Sequence, residues 1–242
     1  MRTSLDFPLR IARHEFCAKT IMTSFPNSPQ LVKGGLVILD PASGAVMRTI
    51  VLQYNPDSLS RSYQVQGVGG DGGGARAQPL RLKGPAIESI KLDAEIDATD
   101  ALEHPEQNAN TVAFGIAPQL AALESLVNPG SAELLALNAL SQSGTLEILP
   151  PEAPLVLFIW SKSRVVPVRV TDFSITEEAF DVALNPLRAK VSLGLRVMTT
   201  DDLGFDHRGG GVFINHLRTR EALAGRTGAA ALQSLGLSSL PL

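Results

Sequence analysis

Glu88-Ser89-Ile90-Lys91-Leu92-Asp93-Ala94-Glu95-Ile96-Asp97 decides the fold. Ile90, Leu92, Ala94 and Ile96 alternate with Ser89, Lys91, Asp93, Glu95 and Asp97. A period of two puts the first set on one face of a sheet and the second on the other. An equally clean alternation runs from Leu187 to Val197. There Leu187, Ala189, Val191, Leu193, Leu195 and Val197 share one face, and Arg188, Lys190, Ser192, Gly194 and Arg196 share the other. Two long strands, each half apolar and half polar, predict a sheet with one buried and one wet face.

Working outward, more strands appear. Leu31 to Asp40 and Met47 to Tyr54 flank Pro41-Ala42-Ser43-Gly44, whose residues suit a turn, so the pair reads as a hairpin. Asn55-Pro56-Asp57 turns the chain into an extended run from Leu59 to Val65. Leu155 to Trp160 reads as a buried strand. In Arg164 to Phe180 the apolar set shifts from Val166, Val168 and Val170 to Phe173 and Ile175. Such a change of parity predicts a β-bulge near Thr171 or Asp172. Pro118 to Val127 reads as a short helix with Pro118 at its first turn, and Ser131 to Leu140 as a second helical piece. Adjacent strands are joined by turns and not by regular crossover helices. The expected fold is mainly β with minor α: an antiparallel barrel or sandwich with one or two short helices, flanked by poorly ordered termini.

The chain has 242 residues, 44% of them hydrophobic, and a formal net charge of -3. A near-neutral balance argues against a dedicated nucleic-acid binder. One cysteine, Cys17, excludes an internal disulfide framework and a multi-cysteine zinc site. No apolar run approaches the length of a membrane span, so direct membrane insertion is not expected. Residues 1–29 are read as a disordered leader, with Ile21 to Pro26 resembling a second start. Residues 30–200 are read as the β domain, and residues 201–242 as an appendage, part helical and part disordered. Weak helix is expected from His216 to Gly236.

The search for chemistry returns no catalytic, cofactor or metal assignment. Gly67 to Gly74 holds six glycines in eight positions. A phosphate loop needs a lysine followed by serine or threonine at a helix start, and this stretch runs instead into Ala75-Arg76-Ala77-Gln78-Pro79. It is read as a loop for assembly, mobile in the isolated subunit. His14, His104, His207 and His216 lack metal-ligand spacing. Asp201, Asp202, Asp206 and His207 cluster in sequence, but a solvated acidic turn accounts for them better than a cation site. No Gly-x-Ser-x-Gly elbow is present.

Several segments together resemble a family. Val51-Leu52-Gln53-Tyr54-Asn55-Pro56-Asp57-Ser58-Leu59-Ser60 resembles the strand-turn opening of the tube-like baseplate proteins of contractile injection systems. So do Ile90 to Asp97, Pro154 to Trp160 and Ser174 to Asp181. The closing piece Asn185 to Arg196 matches best. The ordered set covers about 30–200. The resemblance implies a fold related to the haemolysin-coregulated protein, in subunits that form rings and stack. It implies a place near the baseplate, joining inner tube to spike hub. Many relatives carry a LysM module after this domain, and residues 201–242 show no LysM pattern.

From that resemblance come the expected partners: the chain itself as a homohexamer, an inner tube protein, a spike or hub protein, and baseplate or sheath components. Assembly is expected in the cytoplasm, within a particle that can be released. The candidate interface residues are Gly67, Gly69, Gly70, Gly72, Gly73 and Gly74, with Asp93, Glu95, Asp97, Arg188, Lys190 and Arg196. The two charged rows are expected to line a lumen or to meet between subunits. A different class stays open: a ligand- or carbohydrate-binding β module, or a hydrolase with a site built from distant residues.

Overall fold

Among the described residues seven strands form one antiparallel sheet. The computed structural model describes residues 31–40, 43–67, 81–142 and 153–227. The expected leader, Gly69 to Gly74 and the end of the expected appendage lie outside the described residues. The strands are β1 (Gly35–Leu39), β2 (Val46–Val51), β3 (Leu59–Gln64), β4 (Ile87–Asp97), β5 (Leu155–Ser161), β6 (Arg164–Phe180) and β7 (Pro186–Val197). They lie side by side in the order β2-β1-β5-β6-β7-β4-β3. The helices are α1 (Thr99–Leu102), α2 (Ala109–Phe114), α3 (Ala117–Glu124), α4 (Ser131–Gln142), α5 (Thr200–Leu203) and α6 (Arg208–Ala224).

The alternations become β4 and β7, which pair along their length from Ser89 opposite Arg196 to Asp97 opposite Arg188. Ile90, Leu92, Ala94, Ala189, Val191, Leu193, Leu195 and Val197 are all buried. They join Leu36, Val156, Phe158, Val166, Val168, Ile116, Leu120, Leu123 and Phe213 in one core. Burying a side chain of this size contributes about 1.5–3 kcal/mol, so the row is the main source of stability.

The parity change in β6 is a real irregularity. Its register with β7 shifts between Val170 and Asp172. Gly194 lies opposite, where a Cβ would stand 2.6 Å from the Cβ of Asp172. The bulge therefore presses on β7 where β7 has no side chain.

Two features differ from expectation. The sheet is open, with β2 and β3 as its edges among the described residues. The stretch between these edges is tied elsewhere. Asn55 Oδ1 accepts from the Gly34 N–H at 2.9 Å, and its Nδ2 donates to the Val32 carbonyl at 2.9 Å. Gln53 Nε2 donates to the Asp97 carbonyl at 2.7 Å, and Gln53 Oε1 accepts from the Asp97 N–H at 3.0 Å. Helices are also more numerous than the one or two expected, although α1 and α5 are only four residues each. Helix α6 begins at Arg208, ahead of the His216 start read from sequence, and buries Gly209, Gly210, Phe213 and His216. Three consecutive glycines hid that helix from a propensity argument. Small residues there let the backbone approach its neighbours closely, which tertiary packing rewards.

Candidate assembly surface

The wet face of the sheet carries the expected charged rows. Arg188 Nε donates to Asp97 at 2.7 Å, and Lys190 pairs with Glu178 of β6 at 2.8 Å. Glu95 lies opposite Lys190 in the ladder, and Ser192 donates to Asp93. Arg196 pairs with Asp202 at 2.7 Å. The opposite charges of β4 and β7 thus meet inside a single chain. The Thr99 hydroxyl, with smaller help from its N–H and from Arg188, holds the Asp97 carboxyl below its ordinary range. Glu178, then Glu95, raises the Lys190 ammonium. Exposed pairs contribute only about 0–1 kcal/mol each, so this row fixes register more than stability. A groove of about 590 Å³ runs over the same face, lined in part by Tyr54, Asp57, Asp93, Glu95, Lys190 and Ser192.

Of the glycines, Gly67 alone is described; it forms an isolated bridge with Leu82. The acidic cluster after β7 has a structural job. Thr199 Oγ1 accepts from the Asp201 N–H, and Asp202 accepts from the Thr199 N–H at 2.9 Å, a reciprocal cap on α5. His207 Nδ1 accepts from the Gly209 N–H at 3.0 Å and caps α6. Among the described residues no three His, Cys, Asp or Glu side chains come together as a metal site. No helix there is long and apolar enough to cross a membrane.

Among the described residues, exposed apolar side chains include those of three separate elements. Edge strand β2 presents Val46, Met47 and Val51 to solvent. The β6–β7 turn presents Phe180, Val182 and Leu184, and Leu184 holds a positive φ of 63°. Asp181 fixes that turn by accepting from the N–H groups of Ala183 and Asn185 at 2.7 and 2.8 Å. Helix α4 buries no side chain and exposes Leu134, Leu135 and Leu140.

Sequence reasoning missed one cluster. Glu88 is 4% exposed and sits in the buried row of β4 with Ile90 and Leu92. Its parity with those residues was the available signal. Arg61 reaches it at 2.6 Å and Arg220 at 3.7 Å. His216 is equally buried, and neither ring nitrogen has a hydrogen-bond partner. Burial pushes its pKa below the ordinary 6.5; Glu88 opposes this, while Arg220, Arg61 and Arg164 add to it. As pH falls, the unfolded chain takes up this proton before the folded chain does. The stability is therefore complete above the unfolded value and lost as pH drops through it toward the lower folded value. The expected result is a melting temperature that declines from pH 7.5 to 5.5, with a shallower decline for His216→Leu. Equal slopes for the two proteins would contradict it.

Residues 39–205 match the family model described as contractile injection system tube protein. No curated protein matches the sequence. Among solved structures, the chain is similar to one from the tail of an empty GTA particle computed with helical refinement and C6 symmetry. The identity is 14%, the TM-score 0.27, and the alignment covers 68% of this chain and 90% of that one. The family match runs from the last residue of β1 to just beyond α5 and so takes in nearly the whole sheet. The chain belongs to the contractile injection system tube protein family.

Proposed function

We propose that this chain is a ring-forming adaptor that joins the inner tube of an injection particle to its spike hub and baseplate. In this reading it forms a homohexamer, assembles in the cytoplasm, and turns over no substrate. Its partners are its own copies, the inner tube protein, the hub, and baseplate or sheath components.

The observation that carries the reading is the outer edge of β2. It is unpaired among the described residues and flanked by exposed Val46, Met47 and Val51. An apolar open edge in a lone subunit invites association, whereas ring closure covers it. The wet face, with its internally matched charges, suits a lumen lining. Helix α4 supports an adaptor over a plain tube subunit, because its exposed leucines lie outside the sheet edges. The groove supports a binding or hydrolytic module less well. Its Asp93 and Lys190 already engage Ser192 and Glu178.

The test uses one edge position. The Leu52 N–H donates to the Gly34 carbonyl at 2.9 Å, and Gly35 lies opposite Val51. By alternation, the Thr49 N–H points away from β1. Thr49→Pro removes an outward donor and leaves the ladder to β1 intact. The expected result is a subunit that melts as the wild type does but is missing from particles purified after co-expression with tube and hub proteins. Normal incorporation of Thr49→Pro would contradict the proposal.

A further inference from the structure

The buried Glu88 cluster carries more positive than negative charge. Arg61 of β3 and Arg220 of α6 both approach Glu88. Their guanidinium groups lie over the Tyr63 ring, 5.2 and 5.3 Å from its centroid, and Arg61 also donates to the Tyr63 hydroxyl. Arg164, the first residue of β6, stands in the field of the same groups. Desolvation first, and the charge of Arg61 second, lower its pKa from the ordinary arginine value. Among the described residues the Arg164 side chain has no hydrogen bond or salt bridge, although its backbone stands opposite Ser161 in the β5–β6 ladder. Three guanidinium groups therefore share one carboxylate. The adjoining His216, neutral and without a hydrogen-bond partner, supplies no counter-charge. A partly desolvated cation without a counter-ion is costly, and a second carboxylate would relieve it. The arginine fork suits that group, because it can donate two parallel hydrogen bonds to one carboxylate.

Acidic side chains of the right kind lie at the other end of the sheet. Strand β4 starts beside Glu88 and ends at Asp97, where α1 follows. Beyond it Asp100, Glu103 and Glu106 are exposed. Tyr54 donates to Asp100 at 3.0 Å, and Glu103 and Glu106 have no salt bridge among the described residues. At a rise of about 3.3 Å per residue, the two ends are roughly 30 Å apart. The acidic segment of one chain therefore does not reach its own arginines. A second copy displaced along the strand direction would bring its own segment to them.

We propose that the Arg61, Arg164 and Arg220 cluster receives the acidic segment 100–106 of a second copy of this chain, head to tail, with Arg164 as the principal anchor. This rests on the ring-forming part of that reading and takes the adaptor as at least two rings deep, with this contact between its layers. A head-to-tail contact of this kind is heterologous and repeats, as stacking requires.

Charge reversal tests it in co-expressed particles counted by electron microscopy. Arg164→Glu is expected to reduce stacked rings about tenfold or more, the value of one lost charge-assisted contact. Adding Glu103→Lys and Glu106→Lys to the same chain is expected to restore them. Arg164→Gln covers the case in which charge reversal impairs folding. It removes a charge that has no salt bridge, so the melting temperature holds while stacking falls. Normal stacking by Arg164→Gln, or a folded triple variant that fails to restore stacking, would overturn the contact. Variant rings that form and stack like the wild type would remove this contact alone. A wild-type chain that never enters a ring would remove the adaptor reading with it.

Discussion

Gly115→Ala is expected to destabilise the folded chain by about 4 kcal/mol, the sum of backbone strain and forced overpacking. Gly115 ends α2 with φ 57° and ψ -133°, a region that essentially only glycine occupies. A Cβ there would stand 2.1 Å from the carbonyl oxygen of Pro186. That carbonyl cannot simply retreat. It accepts the Ile116 N–H at 2.8 Å, and Pro186 opens β7 opposite Phe180. Ile116 is itself in the core, so relieving the clash would lift α3 from the sheet. Urea unfolding measures the loss; a change under about 1 kcal/mol would show that the junction yields freely.

Glu88→Gln is expected to cost about 3 kcal/mol, the lower end of what breaking a buried ion pair costs. The lower end applies because the Arg61 side chain keeps 24% exposure while Glu88 keeps 5%. The substitution preserves shape and removes the one carboxylate that Arg61, Arg220 and Arg164 share. Three like charges then face one another beneath α6. Calorimetric unfolding at neutral pH reads the change. A melting temperature equal to that of the wild type would mean that solvent already screens the cluster.

These two sites mark what the chain reveals by inspection. The β4 and β7 alternations, the first hairpin and the β6 bulge were legible because the period of side chains along a strand is a local property. The bulge could be placed near Thr171 and Asp172 from parity alone, and the ladder shifts between Val170 and Asp172. Glu88 was legible in principle, since it shares the parity of Ile90. Its partners Arg61, Arg164 and Arg220 come from β3, β6 and α6, and no local pattern links them. The open edge was hidden for a similar reason. Whether β2 and β3 pair depends on where Gln53 and Asn55 send their amides, and those contacts are long-range. Helix α6 opposed its own local propensity at Gly209, Gly210 and Gly211. Packing of Phe213 into the core decided it.

The pairing of the charged rows has a consequence for the wet face. Asp97 with Arg188, and Glu178 with Lys190, leave that face internally matched in sign. In the proposed ring such a face would repel neither a basic nor an acidic cargo strongly. Exposed apolar groups lie elsewhere, among them those on β2, on the β6–β7 turn and on α4.

A cryo-electron-microscopy reconstruction of the assembled particle tests the account most directly. The predicted density places this sheet in an annulus between tube and hub, with β2 hydrogen-bonded to a neighbouring subunit and the Asp93 and Lys190 face turned to the channel. Density that puts the chain outside every stacked ring, or leaves the β2 edge in solvent, would contradict it.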